Sequence, residues 1–299
     1  MLNKKIALVC ILAMLTGVCV AGCSESKTSA SSAESAVSKT ESVVSETESE
    51  VSGTESVVSE TESEVSEEEN KEDEVQTYSL QDGLLTVFSD AYFDNKDNEK
   101  VNGSDVKKVI VRDGVTKIGD EGFREYENLT ETEIAETVKT IGSCAFFECT
   151  GMKEITIPDS VTEMGEAVFE CCTSLEKAVL SKSLSAVSNN AFSECENLSE
   201  ITIPESAESI GEFAFDGCTA LKKIDISGST LAKIDEWAFS GCTSAESIAI
   251  PESVTDMAVG VFFDWSEEQT ISVKGMSTAP DTWNSDWNKG CNAKIEWNV

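Results

Sequence analysis

KEITIPDSVTEMGEAVFECCTSL, residues Lys153–Leu175, returns nearly unchanged as SEITIPESAESIGEFAFDGCTAL at Ser199–Leu221. Both stretches carry I-x-I-P, then spaced apolar residues, then Phe, Cys and Leu at matching offsets. A shift of 23 residues in either direction finds the same template in Lys107–Leu129, Thr130–Met152, Glu176–Leu198, Lys222–Ala245 (one residue longer) and Glu246–Glu268. The fifth position reads Val111, Ile134, Ile157, Leu180, Ile203, Ile226, Ile250, and the twelfth Ile118, Ile141, Met164, Val187, Ile210, Ile234, Met257. A Phe column never breaks: Phe123, Phe146, Phe169, Phe192, Phe215, Phe239, Phe262. Seven units in register are the signature of a repeat architecture.

The I-x-I pair has period two and suits a short strand with one buried face. Pro158, Pro204 and Pro251 end that strand, because proline has no N–H for the ladder. Ala214, Phe215, Cys218 and Leu221 fall at i, i+1, i+4 and i+7, one face of a short helix. Neither element buries its apolar face alone, so each unit must stack on its neighbours. The expected fold is an α/β repeat solenoid: a right-handed coil with a parallel β-sheet on one face, short helices on the other, and a cap at each end. Phe147 lies outside the template and is expected to matter little.

These units resemble the leucine-rich repeats of BspA-like bacterial surface proteins, whose running pattern is similar to V-T-x-I-G-x-x-A-F-x-x-C-x-x-L-x-x-I-x-I-P. Here it reads VTEMGEAVFECCTSLEKAVL over Val161–Leu180 and AESIGEFAFDGCTALKKIDI over Ala207–Ile226. The resemblance spans roughly residues 77–299. It implies a leucine-rich repeat coil and a part in adhesion to proteins of a host or neighbouring cell. Tyr126 and Trp265 depart from it in the Cys column, and Thr132 replaces an apolar strand residue.

The opening MLNKKIALVCILAMLTGVCVAGC has Lys4 and Lys5, an apolar run and small residues before a cysteine, the layout of a secretory signal. Val20-Ala21-Gly22-Cys23 resembles a bacterial lipobox, which implies cleavage before Cys23 and lipidation of its thiol. Residues 24–75 are almost all Ser, Glu, Thr, Val and Ala, including the tandem ESVVSETESEVSGT, ESVVSETESEVSEE. So few apolar groups do not offset ordering entropy, and a disordered tether is expected. The organisation is therefore a signal peptide over 1–22, a lipidated Cys and tether over 23–76, an N-terminal cap over 77–106, repeats over 107–268 and a C-terminal cap over 269–299. Localisation follows as extracytoplasmic, lipid-anchored at the cell surface, with the anchor as the sole membrane contact.

A formal net charge of −34 repels phosphate backbones, so nucleic acid is not an expected partner. The chain has no histidine, the usual base for Ser or Cys nucleophiles and the commonest zinc ligand. No catalytic residue, metal ligand or cofactor motif emerges; the Asp-rich SDAYFDNKDNEK lacks calcium-loop spacing. Carboxylates are plentiful enough to keep a carboxylate-dependent hydrolase as a third reading. Cys149, Cys172, Cys195, Cys218 and Cys242 occupy one column of the expected helix side. Helices there would hold neighbouring coils about 8–10 Å apart, beyond disulfide reach, so buried thiols are expected. The tail brings together Trp283, Trp287 and Trp297, either a lid on the last coil or a sugar-stacking surface for a carbohydrate- or wall-binding protein.

The remaining candidate site is the outward strand face, where Lys107, Lys108, Lys153, Lys177, Lys222 and Lys223 form a basic band in an acidic molecule. Cross-strand charge pairing accounts for such a band as readily as a recognition surface for a protein ligand does.

Overall fold

The computed structural model describes residues 76–228 and 230–298. The signal, Cys23 and tether expectations lie outside the described residues. The N-terminal part opens with an antiparallel hairpin of β1 (Tyr78–Gln81) and β2 (Leu84–Val87), followed by one helical turn, α1 (Ala91–Asp94). Each repeat then adds a long and a short strand. The long ones are β3 (Lys108–Val111), β5 (Glu131–Ile134), β7 (Glu154–Thr156), β9 (Lys177–Val179), β11 (Glu200–Thr202), β13 (Lys223–Asp225) and β15 (Ser247–Ile250). They continue beyond the repeats into β17 (Thr270–Val273) and β18 (Lys294–Trp297). The ladder is parallel from β2 onward and runs as two sheets, β1-β2-β3-β5 and β7 through β18, with a break between β5 and β7. The short strands, of two residues each, are β4 (Lys117–Ile118), β6 (Thr140–Ile141), β8 (Glu163–Met164), β10 (Ala186–Val187), β12 (Ser209–Ile210), β14 (Lys233–Ile234) and β16 (Asp256–Met257). They build a second parallel wall in two pieces.

The helices expected opposite the long sheet are not there. Among the described residues the repeats contain none, and the segment around each Phe is a chain of turns. Its alternate N–H groups leave the coil instead of closing a helix. Phe169 N–H donates to Ala191 O at 2.9 Å and Cys171 N–H to Ser193 O at 2.9 Å, while Cys172 N–H turns back to Phe169 O at 3.1 Å. The same alternation recurs around Phe146, Phe192, Phe215 and Phe239. Aiming N–H groups along the stack requires left-handed residues at two fixed places per coil, as at Ala167 (φ 55°) with Cys171 (φ 59°) and Asn190 (φ 53°) with Glu194 (φ 59°). Side-chain spacing alone does not separate this from a helix.

Coils joined in this way are closer than packed helices. The Phe rings stack at centroid distances of 5.3 to 5.5 Å from Phe123 to Phe239, and 6.0 Å from Phe239 to Phe262. All seven rings are fully buried. The expected 8–10 Å spacing is therefore wrong, and it is not what keeps the column thiols apart. Each thiol instead donates to the Phe carbonyl of the preceding coil: Cys149 to Phe123, Cys172 to Phe146, Cys195 to Phe169, Cys218 to Phe192 and Cys242 to Phe215, all at 3.1 to 3.2 Å. The five thiols are buried and unpaired. Burial pushes all five up, Cys172 to about 12, so none offers a thiolate near neutral pH. Trp265 fits the column by the same rule, its indole N–H reaching Phe239 O at 2.9 Å. What the column needs is an apolar body with a donor.

Phe147 also departs from expectation. It is buried in a separate small cluster with Cys144 and Ala167, under the Arg124 guanidinium, 4.5 Å from the ring centre. Thr132, in β5 beside the sheet break, has a buried hydroxyl with no hydrogen-bond partner. Thr132→Val removes that orphan while keeping the shape, and should raise stability by about 1 kcal/mol in denaturant titration. A loss of stability would show that the hydroxyl is satisfied in solution.

Candidate binding surface

The strand face is built by register. Isoleucines such as Ile155 and Ile201 point inward, so their neighbours Glu154, Thr156, Glu200 and Thr202 face solvent. Five of the six sequence-predicted lysines are exposed there, and Lys108 is half-buried. The parallel ladder brings them together differently from a basic stripe. Lys177 is flanked by Glu154 on one side and Glu200 on the other, and Glu200 is next to Lys223. Lys108 is consumed within the sheet, 3.3 Å from Glu131 and 2.5 Å from Glu133. Those two carboxylates hold its ammonium above the usual range. Lys107, Lys153, Lys177, Lys222 and Lys223 make no ion pair within 4 Å among the described residues. The face is thus a chequer of both signs.

Sequence reasoning missed Val179. It follows Lys177 and Ala178 in β9, and at 42% exposure it is one of four exposed large apolar side chains among the described residues. The signal was present, since its repeat reads KAV where the two flanking repeats have EIT.

The C-terminal tryptophans do not present a sugar platform. Trp283 and Trp287 are buried, and Trp283 donates its indole N–H to Val254 O at 3.1 Å. Trp287 meets Phe262 edge-on at 6.1 Å, and Trp297 leans on both tryptophans. They close the apolar end of the Phe stack. No group of three or more residues suited to a metal exists among the described residues, nor any helix long and apolar enough to cross a membrane.

The turn side carries carboxylates crowded by stacking. Glu170 is pushed up to about 7 by burial, then by Glu194 and Glu148, against a lowering pull from Arg124. Burial likewise raises Glu194 and Asp216. A carboxyl whose folded pKa is raised binds its proton more tightly in the native state. Its contribution is therefore full below about pH 4.5 and is lost as pH rises through about 7. After discounting for solvent screening, Glu170 should account for about 1–2 kcal/mol of that loss. Glu170→Gln should flatten the melting temperature between pH 5 and pH 8 relative to wild type; an unchanged slope would place the carboxyl in water.

Residues 96–206 and 169–278 match the BspA-type leucine-rich repeat region, in six copies. The chain belongs to the BspA-type leucine-rich repeat family. Among solved structures, this BspA-type chain is similar to a leucine-rich repeat protein from Bacteroides ovatus, at 23% identity and TM-score 0.48, over 75% of this chain and 58% of the other. It therefore spans less than two thirds of that chain's length. It is also similar to the leucine-rich repeat protein of T. pallidum, at 20% identity and TM-score 0.46, covering 56% and 86% of the two chains. A leucine-rich cell surface protein from Faecalibacterium prausnitzii is similar at 19% identity and TM-score 0.39, covering 75% and 87%. No curated protein matches the sequence.

Proposed function

We propose that this is a non-enzymatic binding protein of the bacterial surface, lipid-anchored through Cys23, that engages a protein ligand of a host or neighbouring cell with its strand face. In this reading residues 24–75 are a tether and the coil is right-handed, the hand that parallel crossover connections overwhelmingly adopt. The observation that carries the reading is the set of exposed lysines without ion partners, chequered with glutamates around Val179. Mixed-sign faces confer specificity and on-rate, and an exposed apolar side chain among them supplies an anchor.

Reversing Lys153, Lys177, Lys222 and Lys223 to Glu tests it. Folding should change by no more than about 0.5 kcal/mol per site, because all four are exposed. The wild-type chain, the quadruple variant and a control reversed at Lys139 and Lys289 are immobilised and offered detergent-solubilised surface and matrix proteins. A protein retained by wild type and control but lost from the quadruple variant supports the reading. Identical retention by all three would leave the strand face as solubilising surface. Lys233 is unsuited as a control because it pairs with Asp235 at 2.8 Å.

A further inference from the structure

The turn side holds a second surface unlike the first. Phe213, Trp237 and Phe263 form a half-buried aromatic ridge across three successive coils. Phe213 and Trp237 stack at 6.4 Å with an interplanar angle of 8°, and Trp237 meets Phe263 at 5.1 Å. The placement is costly. Phe213 (φ 53°) and Trp237 (φ 57°) stand in the left-handed region, where glycine or asparagine is comfortable and bulky residues are strained. The same row holds Asn190 one coil earlier and Gly260 one coil later. Large rings at these sites are not required to build the coil.

Carboxylates border the ridge. Glu212 and Glu236 immediately precede the two strained aromatics and are exposed, and Asp216 lies on the other side of the buried Phe215. None of the three makes an ion pair among the described residues. Glu212 is raised by burial and then by Glu236, Asp235 and Glu166, a like-charge crowding that a cation would relieve.

The first coils of the same turn side show such a cation in place. Arg124 lies 4.5 Å above the Phe147 ring centre, with its nitrogens 3.3 Å from Glu121 and 2.9 Å from Glu125. Glu121 and Glu125 occupy the same rows of their coil as Trp237 and Gly241 do of theirs. There the chain supplies guanidinium, ring and acids together. Around Phe213, Trp237 and Phe263 it supplies rings and acids only.

We propose that this ridge is a docking site for an arginine- or lysine-bearing segment of a partner protein, whose basic side chains lay their stems on the rings and their charges beside Glu212 and Glu236. Long basic side chains cover apolar surface in this way while keeping the head group solvated, and guanidinium groups favour aromatic neighbours. The site is separate from the mixed-sign strand face and calls for a basic partner segment.

The test uses the full chain and a fluorescein-labelled dodecapeptide of alternating Gly and Arg, with a Gly-Gln peptide as the uncharged reference, followed by fluorescence polarisation. Trp237→Gly leaves the net charge unchanged and relieves the left-handed backbone, so melting by circular dichroism should show an intact fold. It should weaken Gly-Arg binding by about fivefold to tenfold, the scale of one cation–ring contact. Glu212→Gln with Glu236→Gln should weaken it similarly. Glu163→Gln with Glu267→Gln, an equal charge change elsewhere, should leave it within about twofold. The proposal is overturned if Trp237→Gly binds like wild type. It is equally overturned if both carboxylate pairs weaken binding alike, which would mean undirected attraction to an acidic chain.

Discussion

Phe192→Ala is expected to cost about 3–5 kcal/mol, the usual penalty for emptying a buried aromatic site. Phe192 is fully enclosed between Phe169 at 5.3 Å and Phe215 at 5.5 Å, so both neighbours lose a stacked face. Repeats communicate only with adjacent repeats, so a cavity at the centre of the stack uncouples the halves on either side. A second, lower melting transition, or a broadened single one, should accompany the loss. Phe88→Ala is the control, because Phe88 is 37% exposed and outside the column. Equal midpoints for the two variants in urea would contradict the stacked column. Phe147, buried with Cys144 and Ala167, is unsuited as that control.

Trp265→Ala should be at least as damaging. It removes the largest fully buried side chain and, with it, the only side-chain donor that the described residues offer to Phe239 O. The cavity accounts for about 3–5 kcal/mol and the orphaned carbonyl for a further 1–3 kcal/mol, about, where water does not reach it. Trp265→Phe separates the two effects, since it keeps most of the volume and loses the N–H. A cost of about 1–3 kcal/mol for Trp265→Phe, well below that of Trp265→Ala, is the expected result. If Trp265→Phe proves neutral, the donor rule for this column fails, and Cys195→Ala should then be mild as well.

How much of this was legible beforehand follows from what each feature writes into a side-chain pattern. The period, the Phe column and the strands ended by Pro158, Pro204 and Pro251 are direct consequences of burial and of a missing N–H, so they read off the repeats. The turns did not, because Ala214, Phe215, Cys218 and Leu221 have helical spacing whether N–H groups close within the coil or reach the next one. Backbone sign held the missing information. Gly217, Gly241 and Gly260 mark left-handed positions, but Glu121, Cys144, Phe213 and Trp237 occupy equivalent ones and mask the rule. Two-residue strands such as β12 are too short to show a period of two. On the strand face the lysines were found by position, whereas their interleaving with Glu154 and Glu200 depends on register between coils. The aromatic ridge went unnoticed because its three rings come from two different rows.

The hydrogen bonds that run from coil to coil have a mechanical consequence. They lie along the direction in which the coils stack, and each coil has its own set. Tension that draws the two ends of the repeat region apart therefore acts on one inter-coil seam at a time, beginning where a terminal coil is held on one side only. Each coil that peels away would release about 23 residues of chain, or about 80 Å of slack, before the next seam bears load. Such a coil yields stepwise under tension, with a force-extension trace of evenly spaced teeth whose number counts the repeats.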